Sequence, residues 1–122
     1  KKKKINIFNQ GNHYRDFTYI DDVVDITIKI LLAKKKSNNE VYNIGNNKPI
    51  KLSKLIYLIE KKLNLKIKKK LLPFQKGDVF KTFANIKKTK KDFNYNPRNN
   101  IESGVSKFIE WYKNYNNSNE IN

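Results

Sequence analysis

The sequence predicts a small mixed α/β fold. Three observations predict it: short apolar or aromatic runs of strand length, amphipathic stretches with helical spacing, and the interleaving of the two along 122 residues. No glycine-rich turn leads from a strand into a helix, so a long βαβ core with a dinucleotide cradle is not expected.

INIF at 5–8 alternates apolar and polar residues and reads as a short strand. NQGNHY at 9–14 is loop chemistry around Gly11. DFTYI at 16–20, aromatic and β-branched, reads as a second strand. Asp21 or Asp22 then caps a helix, because a short carboxylate accepts hydrogen bonds from the first free N–H groups and suits the positive helix end. Its apolar stripe is Val24, Ile28 and Leu31, widened by Val23, Ile26 and Ile30. Lysines and loop residues follow at 34–39. EVYNIG at 40–45 reads as a strand, NNKP as a turn and IKL as a short extended piece. Ser53 is placed to cap a helix with Ile56, Ile59 and Leu63 on its apolar stripe, and Leu52 can staple onto Tyr57. KIKKKLLP at 66–73 reads as an edge strand, since Pro73 cannot continue a ladder. Residues 74–85 are loop-like around Gly77, 86–93 form a short helix, and NYNPRNN turns. Asn99 with Glu102 resembles a capping box. It opens a last helix with Ile101, Val105, Phe108 and Tyr112 on one face and Trp111 beside them. The body of the domain is expected at 1–115, with a frayed tail at 116–122.

Composition narrows the function. The net charge is +16, but of 27 basic residues only Arg15 and Arg98 are arginine. The lysines are spread over the whole chain and no recognition motif accompanies them. A solvated lysine surface therefore explains the charge better than a nucleic-acid footprint, which stays as the alternative: a stand-alone basic module binding nucleic acid or other polyanions. There is no cysteine, which excludes disulfides and cysteine-ligated metals and fits a cytoplasmic protein. His13 is the single histidine, so no multi-histidine metal site is expected, and a lone loop histidine is ordinarily a surface residue. No apolar run spans a membrane and no signal-peptide core is visible. Methionine is absent throughout, so a segment of a longer or excised chain is expected.

The serines lack a nucleophile-elbow context, and no residue is assigned a catalytic role. What remains is a set of ligand contacts. Arg15 leaves a strand edge, where its planar fork can hold a phosphate bidentately; an ion pair with a nearby carboxylate is the plainer reading. Asp78, after Gly77, can accept a hydrogen bond from a sugar hydroxyl or stabilise its own turn. Asp21 and Asp22 are read as helix-capping and solvent-facing carboxylates, and Arg98 as a surface turn residue.

INIFNQGNHYRDFTYIDDVVD, VYNIGNNKPIKLSKLIYLIEKKLN, LPFQKGDVFKTFAN and IESGVSKFIEWYKNY, in this order, resemble the C-terminal part of the NAD-dependent nucleotide-sugar epimerases, in the extended short-chain dehydrogenase/reductase family. LPFQKGDV followed by IESGVSKFIEWY points to the UDP-glucuronate 4-epimerase branch, often encoded with capsular polysaccharide genes. The resemblance implies a substrate-binding subdomain whose Rossmann half is absent. It implies that Arg15 contacts the UDP-sugar diphosphate, that the strand from Asn6 to Phe8 lies along the uracil, and that Asp78 reaches the ribose. Gln75 stands where relatives often carry a second diphosphate arginine. NAD and the catalytic tyrosine and lysine belong to the Rossmann half in the full-length family, so this chain is expected to bind no cofactor and not to catalyse alone. Its partners are then a UDP-sugar and a Rossmann half, and the apolar surface left unmatched should be an exposed patch or a dimer contact.

Overall fold

The computed structural model describes residues 4–34 and 39–119. It is a small mixed α/β arrangement, as the sequence predicts. β1 (Ile5–Ile7) runs into a 3-10 turn (Phe8–Gly11), then β2 (Tyr14–Arg15) and α1 (Ile20–Leu31). β3 (Ile50–Lys51) leads directly into α2 (Leu52–Leu63), followed by β4 (Lys69–Leu71), α3 (Lys87–Phe93) and α4 (Ile101–Asn119). Among the described residues the strands form two two-stranded pairs. β1 lies parallel to β4, with Asn6 opposite Lys70, and β2 lies antiparallel to β3, with Arg15 opposite Ile50. No helix among the described residues is long and apolar enough to cross a membrane.

Two expected strands differ. The second strand is Tyr14–Arg15, not 16–20. Beyond Arg15 the Asp16 carboxylate takes backbone N–H groups from other segments and the chain turns toward α1. EVYNIG at 40–45 is not a strand: among the described residues it forms no ladder. Its groups are met one by one: Thr89 Oγ1 donates to the Asn43 carbonyl at 2.6 Å, and the Tyr95 hydroxyl donates to the Gly45 carbonyl at 2.9 Å.

The helices form where periodicity places them, with different caps. α1 follows Tyr19, and Asp22 does not cap it. Asp22 is buried and accepts the backbone N–H groups of Arg98 and Asn99 at 2.9 and 3.1 Å, tying the approach to α4 onto α1. Ser53 lies inside the first turn of α2, which starts from Lys51 without a side-chain cap. At α4 the cap is Asn100, whose Oδ1 accepts the Ser103 N–H at 2.8 Å, rather than Asn99, which turns its amide to Asp22. α4 continues to Asn119, and the end of the expected tail, 120–122, lies outside the described residues, as do 35–38 of the lysine loop.

The core is a cluster of Ile26, Ile86, Phe93 and Tyr95, with Ile30, Tyr42 and Ile44 against it. The expected stripe of α1 is therefore on the wrong arc: Val24, Ile28 and Leu31 are 45, 49 and 80% exposed, while Ile26 turns inward. On α4, Val105 and Ile109 are buried, and Phe108, Trp111 and Tyr112 face outward. Tyr19 and Ile20 meet Phe108 and Trp111 around one apolar hollow, so the two outward faces are continuous. The exposed patch anticipated from the sequence is present.

Glu60 is a buried carboxylate that pins α2 to β4. It accepts the Lys69 ammonium at 2.7 Å and the Ile67 N–H at 2.8 Å. The Lys69 bond first, and the Ile67 bond second, hold its carboxyl below the usual carboxylate range. Its stabilising contribution is present above the ordinary value of 4.5 and is lost as pH falls through the lowered native value. Glu60→Gln should lower Tm at neutral pH and flatten the fall of Tm toward acid. Thermal melts of both proteins at stepped pH check this.

Candidate functional site

β2 is two residues long, yet it is held on both sides. The Tyr14 N–H donates to the Phe80 carbonyl at 2.9 Å, and the Thr82 N–H donates to the Tyr14 carbonyl at 3.2 Å. These bonds bring the loop around Gly77 back against β2. The turn itself is closed by the Asp78 N–H on the Gln75 carbonyl at 3.1 Å, with Gly77 at φ +88°, a conformation that favours glycine. Arg15 and Asp78, 63 residues apart in sequence, are thereby joined: Arg15 Nη2 donates to Asp78 Oδ1 at 3.0 Å. Arg15 Nη1 donates to the Tyr14 carbonyl at 2.8 Å, which fixes the plane of the guanidinium. Both side chains are 32% exposed, so the pair is ordered on the protein side and partly open to solvent on the other.

Asp16 builds the floor beside Arg15. Its Oδ2 accepts the N–H groups of Asn47 and Ala84 at 3.0 and 3.1 Å, and its Oδ1 accepts that of Lys48 at 3.3 Å. Arg15, Asp16, Thr18, Gly45, Thr82 and Phe83 line a shallow open depression. Gly45 must be glycine here: a Cβ would stand 2.5 Å from the Ala84 Cβ and 2.7 Å from Asp16 Oδ2.

The other sequence candidates fall less closely around this point. Asn6 is exposed on β1. Phe8 lies just past the strand and opens the 3-10 turn, 36% exposed. That turn is tied to the loop carrying Asp78, through Asn9 and Gln10 N–H groups on the Pro73 and Leu72 carbonyls, each at 3.2 Å. Gln75 contributes its carbonyl to the Asp78 turn. Asn6, Phe8 and Gln75 do not line the depression at Arg15, and neither does Asp78. Asp21 pairs with Lys107 at 3.1 Å and Arg98 with Asp25, both on the surface, as expected of them.

Sequence reasoning missed two residues. Asp16 was read only as the start of a strand, and nothing local marks a carboxylate whose partners lie 31 and 68 residues away. His13 was expected at the surface and is instead buried beneath Asp78, because its ring packs edge-on against Phe74 at 5.4 Å. No group of three or more His, Asp or Glu side chains able to hold a metal occurs among the described residues.

A model of the NAD dependent epimerase/dehydratase family matches residues 1–45. An uncharacterized protein of Methanocaldococcus jannaschii is 48% identical over 110 residues, covering 90% of this chain and 33% of that protein. A UDP-glucuronate 4-epimerase of Thermodesulfobacterium geofontis is 40% identical over 114 residues, covering 93% of this chain and 34% of that one. The crystal structure of the Bacillus cereus UDP-glucuronic acid 4-epimerase, in complex with UDP-glucuronic acid and NAD, aligns with a TM-score of 0.76 and 33% identity, over 85% of this chain and 33% of that chain. This chain resembles part of an NAD-dependent nucleotide-sugar epimerase. It spans about a third of the length of the curated relatives it matches.

In this epimerase-like chain, Gly45→Ala should push Asp16 off its three N–H partners. The expected loss is about 1–3 kcal/mol of stability, as for overpacking a filled site, read as a lower urea midpoint with unchanged m.

Proposed function

We propose that this chain is the UDP-sugar-binding portion of a UDP-glucuronate 4-epimerase-like enzyme, corresponding to the C-terminal part, and that it works with a Rossmann half it does not itself carry. The observation that carries the reading is the Arg15–Asp78 pair: a fixed guanidinium plane and a carboxylate, 3.0 Å apart and partly open to solvent. A diphosphate suits the first, because two N–H groups of one guanidinium match two phosphate oxygens. A ribose hydroxyl suits the second as a donor to a carboxylate oxygen. Asn6 and Phe8 are assigned to the uracil side and Gln75 to the diphosphate side.

The residues present do not fit NAD. None of the four glycines leads from a strand into a helix start, and three are closed in by protein: a Cβ on Gly11, Gly45 or Gly104 would meet Ser53, Ala84 or Tyr19 at 3.3, 2.5 or 3.2 Å. The outward arc of α1 and the aromatic face of α4 are the surfaces a Rossmann half would cover, because apolar faces seek burial. The polyanion alternative has less behind it, since Lys54, Lys69, Lys88 and Lys107 each pair with a carboxylate of this chain.

The test is a titration of the chain with UDP-glucuronate, followed by amide and arginine NMR signals. Saturable changes at Arg15 and Asp78 are expected. Arg15→Ala should weaken binding roughly 10- to 100-fold, the value of a charge-assisted hydrogen-bond pair, and Arg15→Lys less, because the charge stays and the fork goes. Unmoved signals at both residues, or equal displacement by an unrelated oligonucleotide, would refute the reading.

A further inference from the structure

His13 holds a buried polar atom with no hydrogen-bond partner. Its side chain is 5% exposed, and Nε2 makes no hydrogen bond. The backbone around it is fixed, with the His13 carbonyl accepting the Leu52 N–H at 2.8 Å, and Phe74 holds the ring edge-on. Nε2 lies 3.4 Å from Asp78 Oδ2. Asp78 Oδ1 is already taken, by Arg15 Nη2 at 3.0 Å and by the Val79 N–H at 2.7 Å. One carboxylate thus has a guanidinium on its open side and an imidazole on its buried side.

The charge balance follows. With Arg15 alone on Asp78 the pair is neutral. A diphosphate drawn to Arg15 brings negative charge beside Asp78 and competes for Nη2. Asp78 is then an under-neutralised carboxylate facing a buried ring nitrogen. A proton taken from solvent onto the imidazole supplies the missing cation, and Nε2–H donates to Oδ2.

We propose that His13 is a positioning residue that takes up a proton when an anionic diphosphate engages Arg15, and holds Asp78 in place of the guanidinium. This rests on the nucleotide-sugar reading of Arg15 and Asp78. A proton taken up on binding makes the affinity fall as pH rises, by linkage. The charged groups on the surrounding elements are Asp78 and Arg15, then Lys51 of β3, with its amine at Asn12 Oδ1, and Lys76 and Lys81 of the Asp78 loop, Lys81 lying over the Phe83 ring. The lysines carry the same charge in both ligand states.

His13 is the only histidine in the chain, so its imidazole NMR signals are unambiguous. The experiment follows them from about pH 5 to about pH 8, the range in which imidazoles titrate, with and without saturating UDP-glucuronate, whose phosphates are both diesters and keep constant charge. The expected result is an upward shift of about one pH unit, and binding about tenfold tighter at the acid end than at the alkaline end. Asp78→Asn, its fold checked by amide spectrum, should abolish the shift. If UDP-glucuronate moves the Arg15 side-chain signal but leaves the His13 midpoint in place, the proposal fails and the nucleotide-sugar reading stands. If neither responds, that reading fails and takes the proposal with it. A shift that persists in folded Asp78→Asn also overturns the proposal. The wild-type titration decides alone if that variant does not fold.

Discussion

Backbone N–H and C=O groups must be satisfied, and this chain has few ladders with which to do it. Among the described residues its strands are two or three residues long and form two two-stranded pairs, with one further bridge from Tyr14 to Lys81. Carboxylates take over the work. Asp16 accepts N–H groups from two distant segments, Asp22 from the approach to α4, and Glu60 from the segment before β4. Each joins pieces that sequence keeps apart, and Asp16 does so immediately beside Arg15. The site exists because irregular backbone is gathered around one aspartate.

The same shortage of ladders explains the shape of the core. A parallel pair such as β1 and β4 is normally covered on both faces, yet all of β4 is exposed here. The buried cluster is small, while α1 and α4 each keep an apolar arc outside. These features have a common cause: the chain is folded about its own polar anchors and leaves apolar arcs of α1 and α4 outside.

At the site, two residues assigned to different parts of one ligand turn out to hold each other. The plain reading of Arg15, an ion pair with a nearby carboxylate, and the ligand reading are therefore not rivals. Before a ligand arrives, Asp78 and the Tyr14 carbonyl orient the guanidinium through two N–H groups while the other three stay available. The buried imidazole behind Asp78 adds a third member that neither reading supplied.

Much of this was legible in the residues. The helices, the β1 strand, the edge character of 69–71 and the Gly77 loop follow from periodicity, Pro73 and turn chemistry, which act within a few residues. The order of the quoted motifs was enough to single out Arg15 and Asp78, which the fold then brings together. What the sequence could not decide was which arc of α1 or α4 faces inward, since Val24–Ile28–Leu31 and Ile26–Ile30 are equally good stripes and the choice belongs to whatever packs against them. Nor could it decide that Asp22 caps a distant segment rather than its own helix, or that His13 is buried. Local propensity sets what a stretch can form; contacts between residues 31 to 77 positions apart set what its side chains touch, and those contacts exist only once the chain has closed on itself.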